Sequence, residues 1–440
     1  MARQEREREN YRVKSICKQL IIMKKTIIFA ALLTAFSSLF AQNPISPVGV
    51  YIADPSARVG KDGKMYVYGS LDEAPDHFCS NRHHVLSSAN LETWTLHENS
   101  FVYGETLFAP DLIEKDGVYY LYYDTPNGNE YVATSSSPTG PFTGGVRIEG
   151  PQQIDPNIFI DDDSQAYYFW GQFSAKGAKM NPDMKTLDWS TYKDGLVTEA
   201  EHSFHEGSFV FKRGKYYYYT YADISRNGRP TSIGYAMSEN PLGPYTYKGV
   251  IVDNAGCDPE VWNNHGSVVE FGGQWYVLYH RATHGSNSMR KACIEPIYFN
   301  EDGTIDEVEM TSQGAGGPLP AGQWTTGGSS CKLSGNVRIV LEGNREILAR
   351  AQSGDRAEWK YLDFGEGYNR ITVKARSEKG AKIRIRTSQT RRHGTVTGMV
   401  EVPAGGEWTL CSASVVPVVG AQKVLLEFYG DVDLDSFRFE

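Results

Sequence analysis

A tyrosine-rich strand pattern recurs five times along this 440-residue chain. The aligned positions of the five segments are separated by 54, 48, 49 and 59 residues, and they are Tyr66, Tyr120, Tyr168, Tyr217 and Tyr276. A turn rich in Gly or Asp precedes each segment, which is typical of a hairpin leading into the strand. The period suits a sheet of four short strands, the unit of a β-propeller. The repeats therefore predict an all-β fold with a five-bladed β-propeller.

A polar residue precedes each aligned tyrosine by nine to thirteen positions, in an otherwise apolar or small context. These residues are Asp54, Asp111, Asp155, Glu206 and His265. In a propeller the innermost strand of each blade faces the central channel, so we expect equivalent positions to meet near one axis. Grouped buried carboxylates raise one another's pKa at a cost in free energy, which indicates a functional site. The alternative is that each acidic residue only caps a tight turn beside its proline or glycine.

Hydrolysis of a glycosidic bond uses two carboxyl groups, one protonated and the other ionised. The protonated group donates to the leaving oxygen, and the ionised group activates water on the opposite face of the sugar. A separation of roughly 6.5–9.5 Å between the two groups selects inversion of configuration. A third carboxylate nearby can hold the pKa of the acid up. The chain supplies three such candidates in three different repeats.

Several motifs between residues 43 and 305 resemble those of family 43 glycoside hydrolases. Ala-Asp-Pro-Ser resembles the general-base motif, Ile-Asp-Pro-Asn the motif of the pKa-modulating aspartate, and His-Glu-Gly-Ser the general-acid motif. The resemblance implies that Asp54 is the base, Asp155 the modulator and Glu206 the acid. It also implies a five-bladed propeller that cleaves arabinofuranosides and xylosides with inversion.

The same resemblance implies that four further residues contact the substrate. Phe108 stands where the family usually has a tryptophan, in the motif that ends at Asp111. His265 lies in a segment whose histidine sits at the bottom of the pocket, where it helps to hold a structural calcium ion through water in many members. We expect no cofactor to be required beyond such an ion. Arg290 stands where many members have an arginine that reaches substrate hydroxyls, and a surface arginine is the alternative.

The N-terminus has the order of a secretory signal peptide: Met23 followed by two lysines, an apolar run over 26–40, and a small residue at Ala41. We predict a signal peptide over residues 1–41, with Met23 as an alternative start, and a secreted protein in the periplasm or outside the cell. The formal net charge of −9 disfavours binding to nucleic acid. We therefore expect a monomer without a membrane span, whose partner is a polysaccharide or oligosaccharide substrate.

The composition changes after residue 312, the predicted end of a propeller that begins at residue 43. Residues 313–330 are rich in Gly, Pro, Ser and Thr, which predicts a linker or an extended wrap. Short alternating strands over 331–440 then predict a β-sandwich of jelly-roll type. This part resembles a family 6 carbohydrate-binding module around Trp408 and in the closing Val-Asp-Leu-Asp-Ser-Phe-Arg-Phe segment. Both a working binding module and a structural brace fit this sequence.

Together these patterns predict a secreted inverting glycoside hydrolase. Its expected action is the release of terminal α-L-arabinofuranosyl or β-D-xylosyl residues from plant hemicellulose such as arabinoxylan. One alternative is action on arabinan or galactan within the same family. A retaining fructan hydrolase also uses five blades, but its Asn-Asp-Pro-Asn-Gly, Arg-Asp-Pro and Glu-Cys motifs are absent. A non-catalytic carbohydrate-binding propeller is the last alternative, and three retained acids argue against it because an unused buried carboxyl destabilises its site.

Overall fold

The computed structural model describes residues 42–226, 228–389 and 394–440. Regular structure in these ranges is nearly all β-strand, which confirms the all-β prediction; its helical elements are one turn of α-helix at Glu199–His202 and a 3-10 turn at Gly327–Ser329. In the described ranges, no helix has both the length and the apolar character needed to cross a membrane. The predicted signal peptide over 1–41 lies outside the described residues.

Five antiparallel sheets follow one another along the chain, and in each of them successive strands are neighbours. The first two sheets comprise β1 (Tyr51–Val59), β2 (Met65–Asp72), β3 (Arg82–Ser88) and β4 (Thr95–Val102), then β5 (Phe108–Lys115), β6 (Val118–Asp124), β7 (Asn129–Ser135) and β8 (Thr143–Gln152). The other three comprise β9 (Asn157–Ile160), β10 (Ala166–Trp170), β11 (Ser174–Met180) and β12 (Leu187–Thr198), then β13 (Phe204–Arg213), β14 (Tyr216–Asp223), β15 (Ser232–Ser238) and β16 (Thr246–Asp253), then β17 (Ser267–Phe271), β18 (Gln274–Arg281) and β19 (Lys291–Ile297). Strands β1–β19 are called the five-sheet region below.

The recurring tyrosine segments form the second strand of every sheet, as the hairpin signals before them predict. The first strands contact one another in sequence, from β1 through β5, β9 and β13 to β17, and β1 also contacts β17. Aromatic rings fill the space between sheets. One example is the pair Phe211 and Trp275, whose centroids lie 5.3 Å apart. The first strands are therefore brought side by side, at the place where the polar residues were expected to meet.

The segment before β1 attaches to the last sheet, which has three strands in the described part of the chain. Ile45 N–H donates to the Ala292 carbonyl of β19 at 2.8 Å. The amide of Asn43 donates to the Ile294 carbonyl at 2.9 Å and accepts from the Ile294 N–H at 2.9 Å. These bonds tie the beginning of the first sheet to the edge of the fifth one.

The C-terminal residues form two sheets packed face to face, called the sandwich below. One sheet contains β20 (Leu319–Pro320), β22 (Lys332–Ser334), β25 (Arg356–Asp363), β27 (Ala381–Ser388), β28 (Thr395–Val402) and β30 (Ala421–Tyr429). The other contains β21 (Thr325–Thr326), β23 (Arg338–Glu342), β24 (Arg345–Ala351), β26 (Arg370–Arg376), β29 (Thr409–Ser414) and β31 (Val432–Phe439). Alternate residues of β27 point into a shared apolar core. Trp359 and Phe437 meet across that core edge to face, with 4.8 Å between centroids.

Two short parts of the segment predicted as a linker, 313–330, pair with longer strands of the sandwich. Strand β20 pairs with the end of β25, and β21 pairs with β31. The indole N–H of Trp359 donates to the Thr326 carbonyl at 3.1 Å. These short strand pairings hold the Gly-, Pro- and Ser-rich segment against the two sheets. The segment is therefore an extended wrap and not a free tether.

The five-sheet region and the sandwich are joined by a buried ion pair and by backbone hydrogen bonds. The ammonium group of Lys291 contacts the Glu346 carboxylate, and both side chains are nearly inaccessible to solvent. His284 N–H donates to the Ile339 carbonyl at 2.9 Å, and the His284 ring accepts from the Leu341 N–H at 3.1 Å. The two parts therefore brace each other along this contact.

We expect Glu346→Ala to lower the free energy of unfolding by about 3–5 kcal/mol, because it leaves the Lys291 ammonium buried without its counter-charge. The exposed pair Lys382–Glu401 supplies the control, since exposed pairs contribute little. Urea unfolding of the Glu346→Ala and Glu401→Ala variants measures the difference. Equal unfolding curves for the two variants would contradict a bracing role for the buried pair.

Candidate active site

A cavity of about 240 Å³ is built mainly from residues at or just before the first strands of the five sheets. Four of the five polar residues singled out by the repeat line it: Asp54, Asp155, Glu206 and His265. They come from β1, the turn before β9, β13 and the turn before β17. The repeat therefore brings these four together, as expected.

Irregular backbone aims these side chains away from the ladders of their own strands. Asp54 and Asp155 have positive φ angles of 51° and 62°, which is uncommon for residues with a side chain. The pairing of β1 with β2 shifts register around Asp54, and that of β13 with β14 shifts register on both sides of Glu206. Such bulges redirect side chains and are frequent beside active sites.

Asp54 is buried among cationic and donor groups. The Arg290 guanidinium donates to Asp54 Oδ1 at 2.9 Å, and the Ser70 hydroxyl donates to Oδ2 at 2.7 Å. Burial alone would raise the pKa of Asp54, but Arg290, the imidazoles of His265 and His280, and Ser70 outweigh it and lower the pKa to about 2. Asp54 is thus held ionised at neutral pH.

Arg290 is itself fixed by a second carboxylate. Its Nε and Nη2 donate to the two oxygens of Asp72 at 2.9 and 3.0 Å, and its backbone N–H donates to Asp72 at 3.0 Å. Its Nη2 also contacts the buried thiol of Cys79 at 3.4 Å. Arg290 lines the cavity as expected and is not a surface arginine, but its fork is occupied by Asp72 and Asp54. Its clearest effect is on the charge of Asp54.

We expect Arg290→Gln to raise the pKa of Asp54, because the largest influence favouring its ionised form is lost. The low-pH limb of a profile of kcat/KM against pH then moves to higher pH. The matched control is Arg370→Gln, which changes a half-exposed arginine of the sandwich. A low-pH limb that stays in place in the Arg290 variant would contradict this electrostatic role.

Asp155 accepts a hydrogen bond from Gly207 N–H at 2.8 Å, and its own N–H donates to the buried Asp124 carboxyl at 3.3 Å. Burial, together with the charge of Asp54, raises the pKa of Asp155 to about 7. A group in this state carries a proton for part of the time at neutral pH. The protonation of Asp155 is therefore coupled to that of Asp54 and to that of Glu206.

Glu206 has the opposite character to Asp54. The amide of Gln172 donates to Glu206 Oε2 at 2.9 Å, and the His205 ring lies 3.9 Å from the same oxygen. Burial and the nearby Asp155 carboxyl raise the pKa of Glu206 to about 7. One cavity thus contains an ionised carboxylate and a carboxyl that keeps a proton up to neutral pH.

His265 lies between the carboxyl groups. Its Nδ1 is 3.7 Å from Asp54 Oδ1 and 3.9 Å from Asp155 Oδ1. Burial lowers the pKa of this imidazole, which favours its neutral form. Gly207 faces the ring with φ +77°, and a Cβ there would lie 3.0 Å from Cδ2 of His265. Glycine at this position lets the ring approach the carboxyl groups closely.

Aromatic side chains form the outer wall of the cavity. Phe108 is half-buried, whereas Phe78 and Trp262 are 41% and 39% exposed. Trp262 packs edge to face on His205 with 5.6 Å between centroids. Such surfaces suit the apolar face of a sugar ring.

Asp111 is the one repeat position that the structure does not bring into the cavity. Its carboxylate accepts from Arg58 Nη2 at 2.5 Å, Ser56 Oγ at 2.5 Å, Asn157 Nδ2 at 2.7 Å and Ile158 N–H at 2.9 Å. These donors come from the first and third sheets, so Asp111 joins three sheets. The expected contact with substrate is replaced by this structural role.

The groups that support the carboxylates were not among the residues predicted from the sequence. Ser70 and Asp72 stand opposite Ala53 and Tyr51 in the pairing of β1 with β2. Because Ser70 and Asp72 are polar residues two positions apart in the otherwise apolar strand β2, they could have been recognised as groups that face the site. Gln172 and Phe78 lie in connecting segments, and no pattern in the sequence marks them.

Residues 41–305 match the sequence profile of glycosyl hydrolases family 43, and residues 329–440 match that of carbohydrate binding module family 6. A xylosidase/arabinosidase of Thermoclostridium stercorarium is 30% identical over 90% of this chain and 98% of its own.

Two solved structures are similar as well. The crystal structure of a family 43 arabinoxylan arabinofuranohydrolase from Bacillus subtilis in complex with cellotetraose has a TM-score of 0.53 and 25% identity, over 90% of this chain and 97% of its own. The second is the calcium-free form of a family 43 β-xylosidase/α-arabinofuranosidase from a compost microbial metagenome, in complex with xylotriose. It has a TM-score of 0.54 and 30% identity, over 61% of this chain and 97% of its own. The chain that carries this cavity therefore belongs to the family 43 glycosyl hydrolases and is a glycoside hydrolase.

Proposed function

We propose that this enzyme degrades hemicellulose by releasing terminal α-L-arabinofuranosyl or β-D-xylosyl residues with inversion of configuration. The observation that carries the proposal is the pairing of an ionised Asp54 with a protonated Glu206 in one small cavity. The names of the Thermoclostridium stercorarium and Bacillus subtilis relatives favour xylan-type substrates. Because the cavity of about 240 Å³ is smaller than most drug-sized sites, it favours a single terminal sugar over an internal segment.

The five sheets form the blades of a closed propeller in this proposal. The contact between β1 and β17 supports closure of the ring, as does the binding of residues 43–46 along β19. A closed ring places the cavity on the propeller axis. The sandwich that follows has the two-sheet form of a jelly roll.

In the proposed reaction, Glu206 donates its proton to the leaving oxygen while Asp54 removes a proton from the attacking water. Water adds to the anomeric carbon from the face opposite the departing group, which inverts the configuration. Asp155 keeps the pKa of Glu206 raised, and Arg290 keeps Asp54 ionised until it receives the proton. Exchange with solvent then returns a proton to Glu206 and removes one from Asp54.

A calcium ion on the axis was expected from the resemblance. Calcium prefers six to eight oxygen ligands. Within the described ranges no group of three or more His, Cys, Asp or Glu side chains is placed to hold a metal ion, although Asp54, Asp155, Glu206 and His265 all line the cavity. These residues do not fit a calcium site built by the protein, so any ion there would depend on water for its ligands.

We expect kcat/KM on an unactivated oligosaccharide to fall about tenfold per pH unit above pH 7, because Glu206 then loses the proton that it must donate. At the acidic end activity persists toward pH 2, since Asp54 stays ionised down to its pKa of about 2. Initial rates between pH 3 and 9 test the decline above pH 7 and the persistence of activity down to pH 3, with folding checked by circular dichroism at each pH. A rate that stays constant up to pH 9 would contradict the role of Glu206.

Nitrophenol release from an aryl α-L-arabinofuranoside, β-D-xyloside and β-D-galactoside tests the choice of sugar. Hydrolysis of the first or the second supports the proposal, and hydrolysis of the galactoside alone supports the galactan alternative.

Secretion through residues 1–41 is part of the proposal and is supported by the sequence pattern alone. Cell fractionation of the producing organism tests it.

A further inference from the structure

A second cavity of about 370 Å³ lies between the five-sheet region and the sandwich. Residues 75–78, Glu260 and residues 285–288 line it from the five-sheet region, and Arg338 and Arg350 line it from the sandwich. Phe78 lines both this joint cavity and the catalytic one. The two cavities are therefore neighbours that share one aromatic side chain.

The walls of the joint cavity are fixed by hydrogen bonds between distant segments. Ser286 Oγ donates to the Pro75 carbonyl at 2.6 Å, and Ser288 Oγ donates to the Ala74 carbonyl at 2.9 Å. A Cβ on Gly285 would lie 2.8 Å from Nε of Arg338, so glycine permits the loop to lie directly against the sandwich. The cavity is thus a built feature of the contact between the two parts.

Its chemistry suits a chain of neutral sugars. Phe78 offers an apolar ring surface, 41% exposed, while Arg290 lies 5.0 Å from its centroid. Asn287 and Arg350 are exposed at the wall and present amide and guanidinium groups. An aromatic surface flanked by amide, guanidinium and carboxyl groups, the last from Asp76 and Glu260, is an arrangement that orients hydroxyl-rich ligands.

A third cavity of about 450 Å³ continues the path along the sandwich. Arg350 lines both it and the joint cavity. Residues 376–378, at the end of β26, and residues 431–433, at the start of β31, also line the third cavity. Phe78 and Arg350 thus connect three neighbouring cavities in a row. The row begins at the carboxyl groups of the catalytic cavity and ends on the sandwich.

Trp408, the aromatic residue of the module-like segment, is not free for stacking on a sugar. Its indole N–H donates to Glu342 at 3.1 Å, and the guanidinium groups of Arg345 and Arg376 lie 5.2 and 4.4 Å from its rings. Contacts within the sandwich therefore occupy the residue that a family 6 module would use. On the side of the sandwich that lines the joint cavity, by contrast, the side chain of Arg350 is exposed.

We propose that the joint cavity binds the leaving part of a pentose oligosaccharide or polysaccharide, so that the sandwich completes the substrate site of the five-sheet region. The sugar to be released fills the catalytic cavity, and the next units pass Phe78 and contact Asn287 and Arg350. This inference rests on the proposed function, because it assumes that the catalytic cavity receives the terminal sugar.

The test uses Arg350→Ala and Asn287→Ala in the full chain, because both side chains are exposed and their loss spares the core. The control is Arg370→Ala. Arg370 begins β26, whereas Arg376, at the other end of this strand, lines the third cavity. For each variant, kcat/KM is measured on arabinoxylan and on an aryl monoglycoside that reaches only the catalytic cavity. Binding of xylohexaose to the full chain is measured by calorimetry.

For Arg350→Ala we expect the ratio of polymer to monoglycoside kcat/KM to fall about tenfold, the size of one lost charge-assisted contact, and for Asn287→Ala about threefold, the size of one lost neutral hydrogen bond. The Kd of xylohexaose rises by a similar factor, and the control matches the unsubstituted enzyme. An unchanged ratio with unchanged xylohexaose binding would overturn the inference, as would an equal loss on both substrates. Failure of the unsubstituted enzyme on every substrate would instead overturn the proposed function, and xylohexaose binding would still decide the inference.

Discussion

Replacing Asp54 by Asn lowers kcat at least about a thousandfold on every substrate, because an amide cannot accept the proton of the attacking water. The loss is the same for good and poor leaving groups, since water activation is needed for both. Rates on an aryl glycoside and on an oligosaccharide, measured with the same preparations, give the comparison. Full activity on the activated aryl substrate would remove Asp54 from the mechanism.

Asp111→Asn is the matched control for this substitution. Asp111 is also a buried carboxylate paired with an arginine, but it does not line the cavity. We expect the Asp111 variant to lose stability while its folded fraction keeps most of the kcat. A loss of kcat as large as that of the Asp54 variant would show that breaking a buried ion pair, and not removing a base, explains the effect.

Replacing Glu206 by Gln produces a loss that depends on the leaving group. We expect a decrease of about 10²–10⁴ in kcat/KM for an oligosaccharide, whose departing oxygen needs a proton, and a much smaller decrease for a dinitrophenyl glycoside. A series of aryl glycosides with leaving groups of increasing pKa measures this dependence. The loss should become steadily larger along the series.

The pH profile provides a second readout for the same variant. Because glutamine does not titrate, the decline in kcat/KM above pH 7 should be absent from Glu206→Gln, with the acidic limb of Asp54 retained. An equal loss along the whole aryl series, with the decline above pH 7 still present, would assign the proton donor to another group.

The tyrosine repeat predicted the position of the site because it fixes the register of equivalent residues. Asp54, Asp155, Glu206 and His265 stand eleven to thirteen residues before their aligned tyrosines and meet in one cavity. Asp111 stands only nine residues before Tyr120. The register shift of β5 between Phe108 and Asp111 places Phe108 and Ala109 at the cavity and turns Asp111 toward Arg58. The shorter spacing was the sign that this residue differs.

The groups that set the charge of Asp54 could not be predicted from local patterns. Asp72 binds Arg290 across 218 positions of the chain, and the pair forms only when the first and last sheets lie side by side. The cavity shared with the sandwich likewise depends on three loops and two neighbouring strands that have no common motif. Such features follow from packing at long range, which periodicity within one repeat does not report.

The stereochemistry of the first product tests the mechanism most directly. Proton NMR spectra are recorded during rapid hydrolysis of an α-L-arabinofuranoside or β-D-xyloside, before the released sugar equilibrates between its anomers. Direct attack of water activated by Asp54, with Glu206 as proton donor, predicts that the sugar appears first with the anomeric configuration opposite to that of the substrate. First appearance of the same configuration as the substrate would contradict this account, because retention requires one carboxylate to bond covalently to the sugar.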